Sequence, residues 1–156
     1  MTRHSLAQIG VNTEAKAPHA RAEVEVQAVA SGAQADHFVE RDGLRHAGTH
    51  LIIDLWDGEH LDDAGVIEAA LRSAVHTAGA TLVHLHLHEF TAGGGVSGMA
   101  MLAESHISIH TWPERGYAAV DVFMCGSADP YRVVPILRRA FKARRVAISA
   151  LLRGLV

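Results

Sequence analysis

Apolar and polar positions fall into readable patterns from about residue 49 onward. His50-Leu51-Ile52-Ile53-Asp54-Leu55-Trp56 reads as a strand, ended by Asp57-Gly58. Asp62 or Asp63 can cap a helix running to about Ala78. Val66, Ala69, Ala70, Ser73 and Ala74 give that helix one small, apolar face, and Gly79 is its stop signal. Thr81 to Phe90 predicts a second strand, Gly93-Gly94-Gly95 a flexible turn, Val96 to about Ala103 a third strand, and Ser105 to Thr111 a fourth. Pro113 to Gly116 turns the chain into a fifth strand, Tyr117 to Met124. Asp129-Pro130 opens a second helix to about Ala143, with Pro130 suited to its first turn. Pro135 is expected to kink that helix, or to confine regular helix to the residues after it. Val146 to Leu152 is the last strand. The order β-α-β-β-β-β-α-β with hairpin links predicts an α+β fold, an antiparallel sheet with helices on one face.

Residues 1 to 46 lack this order. They hold Pro18, several glycines, many alanines and scattered charges, and Ala22 to Val29 alternates like a strand that nothing nearby continues. The segment reads as an extension, disordered or loosely attached, ahead of one domain over 47–156. Of the 156 residues 49% are hydrophobic, enough for a core, yet no apolar run approaches the ~18 residues needed to span a membrane. The start, Met1-Thr2-Arg3-His4-Ser5, lacks the apolar stretch of a signal peptide, so a cytoplasmic location is expected. A formal net charge of −3 without a dense basic block argues against a nucleic-acid partner. Arg138, Arg139, Lys142, Arg144 and Arg145 fit a solvated face at a helix C-terminus. The single cysteine, Cys125, excludes an internal disulfide and by itself fits a small core residue as well as a reactive thiol.

The chemistry concentrates in Glu104-Ser105-His106-Ile107-Ser108-Ile109-His110-Thr111-Trp112-Pro113-Glu114. Taken alone, Ser and His alternating with Ile describes a half-buried strand with a polar face. The same residues also suit cutting the chain from within. A Ser105 hydroxyl aimed at the Glu104 carbonyl can convert the amide to an ester, and loss of the serine α-proton then expels the Glu104 carboxylate. The dehydroalanine left behind hydrolyses to a pyruvoyl group with loss of ammonia. Each step moves a proton near neutrality, the range of histidine, and donors near the Glu104 carbonyl oxygen would stabilise its developing charge.

This run resembles the self-cleavage site of the small prokaryotic-type S-adenosylmethionine decarboxylases. The resemblance covers about Thr49 to Gly154 and is continuous from Gly95-Val96-Ser97-Gly98 through the cleavage run and Gly116-Tyr117-Ala118-Ala119-Val120-Asp121-Val122-Phe123 to Cys125-Gly126. It implies a two-layer α/β sandwich and cleavage between 104 and 105, giving a β chain of residues 1–104 and an α chain of 105–156. It implies that Ser105 becomes a covalent pyruvoyl cofactor, which forms a Schiff base with the substrate amine and serves as the electron sink for decarboxylation. His110 matches the proton donor of processing, Ser97 a serine that assists it, and Cys125 the acid that reprotonates the substrate carbon. Trp112 and Glu114 match residues near the substrate. The implied activity is decarboxylation of S-adenosylmethionine for spermidine synthesis, in a homo-oligomer of (αβ) units, at least a dimer. Relatives with the same processing motif act on arginine or ornithine, and a non-catalytic regulatory subunit is a further alternative. Departures from the family pattern are the extension, Thr49 where arginine is common, and a histidine-rich second strand.

His84, His86 and His88 fall on one face of that strand, where three imidazoles could converge on a metal. No nearby carboxylate or cysteine pattern completes a site, so a polar surface or subunit interface is the preferred reading and no metal is expected. Gly93-Gly94-Gly95 is not followed by a lysine and a helix, so it is not a phosphate loop.

Overall fold

The computed structural model describes residues 38–41, 43–91 and 93–156. The alternating stretch Ala22 to Val29 lies outside them. A hairpin of β1 (Val39–Arg41) and β2 (Leu44–His46) comes first, inside the segment read as an extension. Then follow β3 (Gly48–Trp56), α1 (Ala64–Ala78), β4 (Leu82–Glu89), β5 (Val96–Leu102), β6 (Ser105–Trp112), β7 (Tyr117–Cys125), α2 (Val133–Ala140) and β8 (Arg145–Arg153). Strands β3 to β8 form one six-stranded sheet in the order β4-β5-β6-β7-β3-β8, and all its neighbours are antiparallel. The α+β architecture expected from the alternation is therefore present.

The sheet's period of two separates its faces. Leu51, Ile53 and Leu55 of β3 align with Val122, Val120 and Ala118 of β7, and Ile107 and Ile109 of β6 continue the rows. These side chains are almost wholly buried with Ile67, Leu71, Ala74 and Val75 of α1 and Val133 and Leu137 of α2, and this is the core. Asp63 caps α1 by accepting from the Val66 N–H at 3.0 Å, and Gly79 ends it at φ 77°. A bulge between Leu82 and His84 restores Leu85 and Leu87 to the helix-covered side of β4.

The second helix differs from expectation at both ends. Residues Pro130–Arg132 form a 3-10 turn capped by Asp129, and α2 stops at Ala140 rather than Ala143. Phe141 and Ala143 turn inward into the core, and Lys142 takes a positive φ, which ends the helix. Pro135 does not kink it. It is the third residue of α2, inside the first turn, where an N–H has no intrahelical partner to lose.

Candidate active site

The helices cover one face of the sheet; Ser97, His110, Trp112 and Cys125 lie on the other, while Ser105, in register with the buried Leu102, has the parity of the covered face at the end of its strand. Strand register arranges that open face in rows. His84, Met101, His106, Phe123, His50 and Leu151 form the row nearest the start of β6. His86, Met99, Ser108, Asp121, Ile52 and Ser149 form the next, and His88, Ser97, His110, Ala119, Asp54 and Ala147 the third. Trp112, Tyr117 and Trp56 lie at the far end. His84, His86 and His88 therefore sit on the edge strand, in register with Met101, Met99 and Ser97.

The expected site residues divide between the two ends of β6. At its start, Glu104 ends the tight β5–β6 turn with a positive φ of 65°, a conformation that costs a non-glycine residue about 1–2 kcal/mol. The Glu104–Ser105 bond thus follows a strained residue. The Ser105 hydroxyl accepts a hydrogen bond from the Cys125 N–H at 3.1 Å, which fixes the side chain beside that thiol. Burial pushes the Cys125 thiol pKa above its usual value; the Glu104 charge adds to this, and the Ser105 hydrogen bond opposes it. His50 and His106 stand near, with ring centroids 6.3 Å apart, both against Phe123. Burial and the neighbouring His50 push the His106 imidazole downward, partly offset by Asp121.

At the far end, the Ser97 hydroxyl and His110 Nδ1 are 2.7 Å apart, directly across the β5–β6 pair. They line a cavity of about 390 Å³ with Trp112, Glu114 and Phe90. Beneath it, the buried Thr111 hydroxyl accepts from the Val96 N–H at 2.8 Å and donates to the Leu61 carbonyl at 2.7 Å, tying β6 to β5 and to the loop before α1. Gly95 is required here because a Cβ would run into the Thr111 carbonyl oxygen. Trp112 stacks on Tyr117 at 5.2 Å between centroids, and Tyr117 on Trp56 at 4.2 Å. The Tyr117 hydroxyl donates to Asp54 at 2.6 Å, and that bond, with burial, pushes its pKa up to about 12. Asp54, Trp56 and Tyr117 received no role from the sequence. Tyr117 facing Trp112 could have been read from the short turn between their strands. Its bond to Asp54 requires knowing that β7 lies beside β3.

Ser105 and His110 do not meet within one chain. Five residues of extended strand separate their backbones by about 16 Å, well beyond the reach of an imidazole. One end holds the Glu104–Ser105 bond and the Cys125 thiol; the other holds His110, its Ser97 partner and the aromatic cavity.

Comparison with known proteins decides the lineage of this arrangement. The family model described as S-adenosylmethionine decarboxylase matches residues 49–154. This chain belongs to the S-adenosylmethionine decarboxylase family. It is 43% identical over 114 residues to an S-adenosylmethionine decarboxylase proenzyme of Thermomicrobium roseum, covering 72% of this chain and 98% of that protein. It is 45% identical to a proenzyme of the same name from Methanococcus aeolicus, covering 71% and 97%. The crystal structure of the adenosylmethionine decarboxylase from Aquifex aeolicus superposes with a TM-score of 0.64 at 35% identity, covering 71% of this chain and 93% of that one. Membership bears out the family resemblance, the α/β sandwich and the assignment as a decarboxylase. It favours neither the arginine or ornithine alternative nor the regulatory subunit.

Proposed function

We propose that this protein is a self-processing, pyruvoyl-dependent decarboxylase that converts S-adenosylmethionine to its decarboxylated form and carbon dioxide, supplying the aminopropyl donor for spermidine synthesis. The observation that carries this reading is the Ser105 hydroxyl, held by the Cys125 N–H directly after the strained Glu104. Ser105 is the nucleophile toward the Glu104 carbonyl, and cleavage divides the chain into 1–104 and 105–156 within a decarboxylase domain of residues 47–156. The pyruvoyl group that replaces Ser105 supplies an electrophilic carbonyl, which no ordinary side chain offers. His110, oriented by Ser97, is the proton donor of processing. Trp112 and Glu114, in the cavity beside them, contact the substrate.

The separation along β6 supports a homo-oligomer. A face-to-face pair of open sheets related by a two-fold axis running across the strands would bring the start of β6 in one copy to its far end in the other. His110 and Ser97 of one copy then serve Ser105 of the second. The open face suits such cover, since Met99, Met101 and Trp112 are 50%, 51% and 41% exposed there and Ile52 and Leu151 lie among them.

Cys125 is the acid that returns a proton to the substrate carbon. Its raised pKa keeps the thiol protonated through neutral pH, as an acid requires. Turnover should therefore hold through neutrality and fall as pH rises through that raised value. Cys125→Ala should still cleave, because the donor to Ser105 is the backbone N–H, while turnover falls by about 10²–10⁴-fold. An alanine variant that turns over like the wild type would place the acid elsewhere. A free thiol in this role fits the reducing cytoplasm. Among the described residues no helix is long and apolar enough to cross a membrane.

Substrate identity is tested by carbon dioxide release from carboxyl-labelled compounds. Release from S-adenosylmethionine is expected; release from arginine or ornithine alone would overturn the assignment.

A further inference from the structure

A second cavity, of about 370 Å³, opens at the opposite side of the fold, on the helix-facing side of edge strand β8. Arg41, Leu44 and His46 of the β1–β2 hairpin line it, with Thr49 of β3 and Tyr131, Ala150 and Leu152. It shares no lining residue with the site along β6. His46 is only 1% exposed, and neither of its buried ring nitrogens has a hydrogen-bond partner. A buried polar group left unmet costs about 1–3 kcal/mol, so an imidazole bare on both nitrogens calls for a ligand. Arg41 is exposed beside it, and among the described residues no carboxylate pairs with that guanidinium and none lines the cavity. Leu44 and Leu152, 48% and 40% exposed, with Ala150, give one wall an apolar surface, and Thr49 and Tyr131 complete the lining.

We propose that this cavity binds a small aliphatic carboxylate. The oxygens meet the Arg41 guanidinium, a planar fork matched to a carboxylate, and an N–H of His46. The aliphatic chain lies along Leu44, Ala150 and Leu152. A cationic amine is disfavoured, because the lining offers it a positive charge and no negative one. Arg41, Leu44 and His46 precede residue 49, where the family match begins, while Thr49, Tyr131, Ala150 and Leu152 lie within it, so the polar groups that hold the carboxylate come from outside that match.

The test is NMR of the full-length protein with labelled histidines, titrated with hexanoate, acetate and hexylamine. The His46 ring signals should shift saturably with hexanoate, and acetate should bind at least about tenfold more weakly, since each buried methylene contributes about 0.8 kcal/mol. Hexylamine should leave them unmoved, and His76, exposed on α1, is an internal control. Arg41→Gln should weaken hexanoate at least about tenfold while the chain still folds and cleaves, since Arg41 is exposed and belongs to neither end of the site along β6. In a sample with labelled tyrosines the Tyr131 ring, which also lines the cavity, should shift with hexanoate, and His46→Phe should abolish that shift; if this variant fails to fold, Arg41→Gln decides alone. No shift at millimolar hexanoate, an equal shift with hexylamine, or wild-type affinity in Arg41→Gln would each overturn the proposal.

Discussion

Replacing Ser105 by alanine leaves the chain in one piece and without decarboxylase activity. The methyl group cannot attack the Glu104 carbonyl, so no ester forms and the electrophilic carbonyl is never made. Turnover should drop to background, a loss of at least about 10⁶-fold, because the group that stabilises the developing carbanion is absent rather than misplaced. The fold should survive, since Ser105 is only part-buried and its one side-chain bond is to the Cys125 N–H. Ser108→Ala is the control. That serine lies in the same strand, in the Met99 and Asp121 row, away from the strained Glu104, and its loss should leave cleavage intact. A Ser105→Ala protein that decarboxylates normally would end the pyruvoyl mechanism.

The second large effect is restoration by mixing two inactive chains. His110→Ala alone should stay uncleaved or cleave at least about 10²-fold more slowly, the usual worth of a positioned proton donor. Ser105→Ala alone has nothing to cleave. Produced together, they should pair so that His110 of the Ser105→Ala chain stands against Ser105 of the His110→Ala chain. With random two-fold pairing of equal amounts, roughly half of the His110→Ala chains should then be cut. Cleavage that stays absent in the mixture would mean that His110 acts within its own chain, against the roughly 16 Å of strand between it and Ser105. Ser97→Ala should behave in the same direction but more mildly, because Ser97 acts by holding the imidazole at 2.7 Å.

Much of this fold was legible because it is built from hairpins. Val96–Leu102, Ser105–Trp112 and Tyr117–Cys125 succeed one another through short turns, so their alternation set both register and faces. That same locality made two pairs readable in principle, Ser97 with His110 and Ser105 with Cys125. The features that the strand pattern left hidden depend on distant segments meeting. The chain returns from β7 to pair with β3, and β8 adds beyond β3, and only that order puts Tyr117 on Asp54 and Arg145 over the Trp56 ring. The last turn expected of the second helix was lost to Phe141, whose burial in the core outweighs helical propensity. The β1–β2 hairpin carries too few apolar residues to announce itself, and His46 acquires meaning only from the cavity around it. The division of the site between the two ends of β6 is a matter of strand length, which motif spacing counts in residues and does not convert into distance.

The measurement to make first is the intact mass of the purified wild-type protein under denaturing conditions. Two species are expected, residues 1–104 and residues 105–156, the shorter beginning with a pyruvoyl group that blocks amino-terminal sequencing. A single chain of 16.7 kDa after prolonged incubation would contradict self-cleavage between Glu104 and Ser105.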